Sequence, residues 1–377
     1  MSSARPPVAL IAGSDPEWDS RLEGARCDVY HTRGYHQFAF GSGEGEPFLI
    51  VVGDAERGLA WPYLLRSLEG IEGLEGVDGT DVTSVYGYPG PIGWGCKPED
   101  PFLSAAWRAI LDVWSDQRVI SAFTRFNPLL GNAALAGKFR LRGAASGLMD
   151  HVSAGTPTVS IDCSVSDGAV TVGYSRVLRQ EIAAARRAGL ASEHDTTWAH
   201  LEAFVGLYGS TMSRRGAEER YLLTADDVRR FRATVAPYAH LLVTRLGSTI
   251  AAAGVFTEYK GIVQAHLVGT NDELRELSPL KVHLDDARHW AHKRDDRVLH
   301  LGGGRGGEDD TLLAFKGRFS PRRHAFHTGK WIVQREMYRE LARRRAAAVG
   351  RDEATPFFPA YRAPPFPQQP NPAGHSE

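Results

Sequence analysis

His300–Phe319 reads HLGGGRGGEDDTLLAFKGRF and joins a predicted strand, Val298 to Leu301, to a predicted helix, Asp310 to Phe319. The turn between them holds five glycines in 302–307. Glycine lets a backbone approach a ligand closely, and amides at a helix start can cradle a phosphate. Gly302, Gly303 and Gly304 are therefore candidate donor-binding positions, and Arg305 can pair with a phosphate. The alternative is a plain strand-to-helix turn with Arg305 in solvent. Lys316 lies in the apolar frame Ala314-Phe315-Lys316, where a cation can stabilise an oxyanion or hold a donor phosphate. It can equally snorkel along a solvated face.

Outward from this stretch, the second half of the chain has a definite order of elements. Leu241 to Arg245 and Ile250 to Thr257 flank a short polar turn and read as a β-hairpin. Ile262 to Thr270 is a strand, and Pro279 opens a helix whose Leu280, Leu284, Ala287 and Ala291 share one face. The strand at Val298, the helix at Asp310 and a last strand near Ala325 to Gln334 complete it. The first half repeats the order. Pro47 to Gly53 and Leu59 to Arg66 form a hairpin, and Asp81 to Gly93 is a strand ending in a Gly/Pro loop. Pro101 opens a helix with Leu103, Trp107, Ile110 and Trp114 on one face, and Arg118 to Phe126 is a strand. Hairpin, strand, helix, strand, helix, strand is the order of a GNAT acyltransferase core. The expected fold is α/β (α+β), with two tandem GNAT-like domains whose mixed central sheets are flanked by helices. The expected boundaries are 1–171 for the first domain, 172–190 for a basic linker helix, 191–346 for the second domain and 347–377 for a proline-rich disordered tail.

Phe315, Lys316 and Phe319 after the glycine-ended strand resemble the Phe-Lys-x-x-Phe pattern of the FemABX peptidyltransferases. Tyr174 to Gly189 resembles that family's basic linker helix, and Phe204, Tyr208, Met212 and Arg214 resemble the start of its second domain. The resemblance covers about residues 158 to 345, with Tyr86 to Pro91 (YGYPGP) as the best anchor in the first half. It implies transfer of an aminoacyl group from aminoacyl-tRNA, as co-substrate, to an amine on a peptide, cell-wall precursor or small metabolite. Phe315, Phe319, Arg322 and Arg323 would then belong to the donor side. No separate cofactor is implied.

Such transfer needs stabilisation of an oxyanion and a path for the amine proton. His266 and His300 lie on predicted neighbouring strands, and either can shuttle the proton or be a satisfied core histidine. Asp81, Tyr86 and Tyr88 are candidates for the acceptor side, with turn and packing roles as the alternative. Arg179 on the linker helix can hold an anionic acceptor. The loop 269–279, GTNDELRELSP, lacks the glycine spacing of a CoA pyrophosphate loop and carries Asp272, Glu273 and Glu276. Acidic groups there repel a pyrophosphate, which disfavours acyl-CoA as donor. Ten Lys/Arg from Lys316 to Arg345, opposed by Glu336 and Glu340, can form a stripe for a tRNA acceptor stem or a solvated helix face.

His283, Asp286, His289 and His292 are read as a solvated helix face, so no metal site is expected. Three distant cysteines, Cys27, Cys96 and Cys163, make neither a disulfide framework nor a zinc motif, which points to a reducing cytoplasm. The apolar run Val8 to Ala12 is too short for a signal peptide, and no run reaches the length of a membrane span. Net charge is −1, so whole-chain charge says nothing for nucleic acid. The acceptor and the oligomeric state are not expressed in the sequence. An acyl-CoA-dependent enzyme and a non-catalytic ligand-binding GNAT pair are the alternatives.

Overall fold

The computed structural model describes residues 5–136, 151–216, 222–304, 311–351 and 355–365. The first half supplies β1 (Val8–Ala12), β2 (Glu46–Gly53), β3 (Gly58–Ser67), β4 (Thr80–Thr83), β5 (Ile92–Trp94) and β6 (Val119–Arg125). The second supplies β8 (Leu190–His194), β9 (Ala239–Leu246), β10 (Thr249–Tyr259), β11 (Ile262–Thr270) and β12 (Val298–Gly302). Two more strands, β7 (Val152–Asp162) and β13 (Arg323–Ile332), occupy the centre. All join one sheet in the order β1-β2-β3-β4-β6-β13-β7-β12-β11-β10-β9-β8, with β5 on β3.

Read inward from either edge, the order is the same: antiparallel strands, a parallel pair, then a central strand. The parallel pairs are β4 with β6 and β11 with β12. The central strands are exchanged. β7 follows β6 in the chain but pairs with β12, while β13 follows β12 and pairs with β6. β7 and β13 also pair with each other, so the two halves share one hydrogen-bonded ladder.

The helices are α1 (Glu17–Ser20), α2 (Arg33–Gly41), α3 (Pro101–Asp116), α4 (Asp167–Gly173), α5 (Arg176–Arg187), α6 (Leu201–Arg214), α7 (Ala225–Val235), α8 (Pro279–His292), α9 (Thr311–Gly317) and α10 (Arg335–Ala348). Asp100 caps α3 by accepting from the Phe102 amide, and the proline at the helix start costs no hydrogen bond. The buried face of α3 places Trp107 and Trp114 on Trp61, with ring centroids 5.3 and 4.8 Å away. Trp331 of the exchanged β13 lies 5.5 Å from Trp61, so the second half's last strand completes the first half's core. The matching core of the second half gathers α5, α8 and α9 over β7, β11 and β12. A third core joins the halves: Val29, Tyr30 and Tyr35 of the first half pack with Phe204, Tyr208 and Phe231 of the second. Gly34 is required there, because a Cβ would stand 2.1 Å from the Thr234 carbonyl oxygen on α7.

Three local expectations are corrected. The expected strand from Asp81 to Gly93 is two strands, β4 and β5, separated by the turn around Tyr86–Pro91. The tail expected to be disordered from 347 is ordered where described. α10 runs to Ala348, and Tyr361 is fully buried, its hydroxyl 2.7 Å from Ser121 Oγ. Its neighbour Arg362 donates to Asp81 at 2.5 Å. The α8 histidines are not a solvated face, since His283 is fully buried and its Nδ1 lies 2.9 Å from Thr244 Oγ1.

Candidate active site

The site lies where the parallel strands β11 and β12 part. Ile262, Val263 and Gln264 pair with Val298, Leu299 and His300, and beyond that the two strands diverge. Into this fork the first half inserts the loop carrying Tyr86 and Tyr88.

His300 sits at the fork's vertex, fully buried. Its Nδ1 is 2.7 Å from Gln264 Oε1 and its Nε2 is 2.8 Å from Thr158 Oγ1. The Gln264 amide donates to Asp28 Oδ2 at 2.6 Å, and Asn127 Nδ2 donates to the same oxygen at 2.9 Å. This fixes the tautomer. Gln264 spends its NH₂ on Asp28 and so offers a carbonyl oxygen to His300, which makes Nδ1 the protonated nitrogen. Nε2 is then the acceptor, and the Thr158 hydroxyl donates to it. Burial, helped by the Lys316 charge, pushes His300 down to about 3, so it is neutral at pH 7. Burial pushes Asp28 up to about 6, against hydrogen bonds from Asn127, Val29 and Gln264 that lower it.

The strand end carries the other expected residues. Gly302 is at φ +77°. A Cβ there would stand 3.4 Å from Lys316 Nζ and 3.6 Å from Tyr88 Oη, so the ammonium and the phenol flank one glycine. Lys316 Nζ donates to the Gly303 carbonyl at 2.6 Å. The Tyr88 ring meets His300 edge-on at 5.3 Å and Phe326 at 5.5 Å, and its burial holds the phenol protonated well above neutral pH. The structure thus brings Lys316, Gly302, Gly303, Tyr88 and His300 together. Gly304 follows directly, and Arg305 lies outside the described residues.

His266, two residues beyond Gln264 on β11, faces an aromatic cluster that Tyr30 joins to Tyr88. It stacks on Phe231 at 5.2 Å and 12°, with Tyr35 at 5.8 Å and the exposed Tyr86 at 6.1 Å. Burial pushes it down to about 4, so it too is neutral. Phe319 is buried against Tyr174 and Phe315, with centroids 5.6 and 5.5 Å away, and this packing orients α9 and hence Lys316.

The remaining expected residues are elsewhere. Asp81 is fully buried between Arg66 and Arg362, in the first half. Arg179 donates to the carbonyls of Thr171 and Tyr174, closing the end of α4. Arg322 pairs with Asp162 at 2.6 Å, and Arg323 donates to the Ser320 carbonyl at 2.7 Å. Asp285, Asp286 and His289 bring potential metal-ligand atoms within 4.8 Å of one another. There, Arg186 bridges both carboxylates at 2.8 and 2.5 Å, and Tyr174 donates to Asp285 at 2.7 Å, so the cluster ties α5 to α8. Sequence reasoning missed Asp28, Asn127 and Thr158. Gln264, a lone amide inside an apolar strand, was the one local signal of the network.

The residues 174–316 match the family model described as "Acetyltransferase (GNAT) domain". Among solved structures, the chain is similar to FemX at a TM-score of 0.63 and 12% identity, covering 88% of this chain and 98% of that one. The chain has a FemX-like tandem GNAT fold. A conserved protein of unknown function from Bacteroides thetaiotaomicron gives a TM-score of 0.51 at 9% identity, covering 86% of this chain and 99% of that chain. L-PGS from Bacillus licheniformis gives 0.50 at 11% identity, covering 86% and 93%. No curated protein matches the sequence. The fork of β11 and β12 lies inside the matched acetyltransferase (GNAT) domain. Among the described residues no helix is long and apolar enough to cross a membrane.

Proposed function

We propose that this protein is an N-acyltransferase that moves an aminoacyl group from the 3′ end of aminoacyl-tRNA to an amine of a peptide, cell-wall precursor or small metabolite. The observation that carries the reading is the convergence of the Lys316 ammonium, the Tyr88 hydroxyl and the Gly302–Gly303 backbone at the mouth of the strand fork. An amine nitrogen attacks the ester carbonyl carbon. The carbonyl oxygen takes the electron pair, and Lys316 stabilises that oxyanion. The pair returns, the carbon–oxygen ester bond breaks, and the leaving ribose oxygen takes a proton as the amine nitrogen loses one. Tyr88, protonated at all relevant pH, is suited to donate to the leaving oxygen. His300 is enclosed, with both nitrogens engaged, so its assigned role is to position Thr158 and the end of β12. His266, Tyr86 and Tyr35 are assigned to the acceptor side, where aromatic faces suit an amine-bearing substrate.

The donor assignment is supported by the loop before α8. It forms a tight turn over Asp272–Leu277 that lacks the glycine spacing of a CoA pyrophosphate loop and carries the exposed Glu273 and Glu276, while Asp272 is neutralised by Arg214. The matched acetyltransferase model favours a second reading, in which a CoA thioester enters the same fork. The deciding experiment mixes the protein with tRNA charged with labelled amino acids and, separately, with labelled acetyl-CoA, each with a pool of small amines and cell-wall precursors. RNase-sensitive label appearing in an amide supports the aminoacyl-tRNA reading. Label arriving only from acetyl-CoA replaces it with the second.

A further inference from the structure

A cavity of about 590 Å³ opens between the halves, at the start of β11 and β12. Val263 and Leu299 point into the core beneath α8, and their neighbours Ile262 and Val298 alternate to the other face and line the cavity. The near-symmetry of the sheet gives this place a counterpart. Ile262, Val298 and Asp162 form a row across β11, β12 and β7. The corresponding row across β4, β6 and β13 is Asp81, Ser121 and Ile332. There the chain fills the space itself: the Tyr361 hydroxyl sits 2.7 Å from Ser121 Oγ, and Arg362 pairs with Asp81. In the second row Arg322 pairs with Asp162 at 2.6 Å, and the cavity opens beside that pair.

The balance of charge differs between the two places. The covered one presents a carboxylate and is met by the guanidinium of Arg362. The open one pairs Asp162 with Arg322 at 2.6 Å in the same way, and adds Arg26, Lys260 and Arg297 against Glu23. Its wall is firmly built: Lys260 Nζ donates to the carbonyls of Leu22, Glu23 and Ala25 at 2.9, 2.8 and 3.0 Å, and Arg297 donates to the Lys260 carbonyl at 2.9 Å. The inner end is neutral, with Ser160 Oγ 2.7 Å from His324 Nε2, and Leu130 and Ile262 give an apolar side. An excess of cations over a neutral, partly apolar interior suits a ligand with one anionic end and an uncharged body.

We infer that this cavity is a binding site for a phosphate ester, its phosphate held by Arg26, Arg297 and Arg322 and its uncharged part directed toward Ser160 and His324. The inference goes beyond the transfer chemistry and does not use Lys316. The test is equilibrium dialysis of the full chain with labelled adenosine 5′-monophosphate, with adenosine as the phosphate-free control. Expected are saturable binding that weakens with salt, much weaker binding of adenosine, and about tenfold loss in each of Arg26→Ala and Arg322→Ala. Lys316→Ala should leave this affinity unchanged while lowering transfer, which separates the two proposals. Displacement of the nucleotide by an RNA hairpin ending in CCA would identify the ester as the terminus of a tRNA. Its failure to displace would identify a free phosphorylated metabolite. Absence of saturable binding at millimolar nucleotide, or binding unchanged in the Arg26→Ala/Arg322→Ala double variant with its melting temperature retained, overturns the inference.

Discussion

Lys316 is held by two features that act independently: the core packing of Phe315 and Phe319 sets the helix, and the Gly303 carbonyl sets the ammonium. Removing the charge should therefore affect chemistry more than folding. Lys316→Ala is expected to lower kcat by about 10²–10³-fold, the usual effect of losing one oxyanion donor. Its melting temperature should stay close to that of the parent, and a variant with unchanged kcat would remove Lys316 from the site. The buried histidines make a prediction of a different kind. His31, His36, His283 and His300 are all fully buried, with folded pKa values pushed to about 4, 3, 4 and 3 by desolvation. The unfolded chain binds protons at these groups from about pH 6.5 downward while the native chain does not. Each thus withdraws up to about 1.4 kcal/mol of stability per pH unit below that point. Asp28 and Asp296, raised to about 6 and 7, work in the opposite direction over the same range but are fewer. Thermal melts should fall from pH 7 to pH 5, and His36→Gln, away from the site, should flatten that slope.

Elements differ in how far their sequences betray them. The two hairpins and the helices opened by Pro101 and Pro279 were legible because alternation, turn residues and a helical apolar face are all local signals. The adjacency of β11 and β12, which carry His266 and His300, followed from the order of elements. The exchange of β7 and β13 was not legible, since periodicity reports which face of a strand is buried and not which strand lies beside it. The vertex network was hidden for the same reason, Asp28 being 236 residues from Gln264. The C-terminal strap was hidden by composition: its prolines read as disorder, yet Tyr361 and Arg362 anchor it. Tyr361 meets Leu68, Leu74, Ile120 and Leu341 in a small core of its own. Tyr361→Ala should cost about 3–5 kcal/mol, the range for deleting a buried aromatic side chain. Tyr361→Phe, which loses only the bond to Ser121, should cost about 1 kcal/mol. Urea titration of the three chains would measure both, and equal losses would mean that the hydroxyl, not the ring, holds the strap.

At the scale of the whole molecule, the exchanged strands decide how the protein comes apart. Each half of a tandem fold can unfold alone when the two merely touch. Here β13 lends Trp331 to the first core and pairs with β6, while β7 closes the second half against β12. Freeing either half would expose a long sheet edge and break a tryptophan cluster or the core beneath α8. The joint core of α2, α6 and α7 adds a second seam, closed at Gly34. Unfolding is therefore expected as one transition, with tryptophan fluorescence, weighted to the first half by Trp18, Trp61, Trp94, Trp107, Trp114 and the exchanged Trp331 against Trp198 and Trp290 in the second, coinciding with far-UV circular dichroism, which reports on both. Gly34→Val tests the seam without touching the ladder. The new side chain cannot coexist with the Thr234 carbonyl, so α2 must lift from α7. If the exchanged strands are the dominant tie, the two probes should still coincide, at a lower denaturant midpoint. If the helical seam is what joins the halves, the variant should melt in two steps, and the shared sheet would then be a consequence of docking rather than its cause.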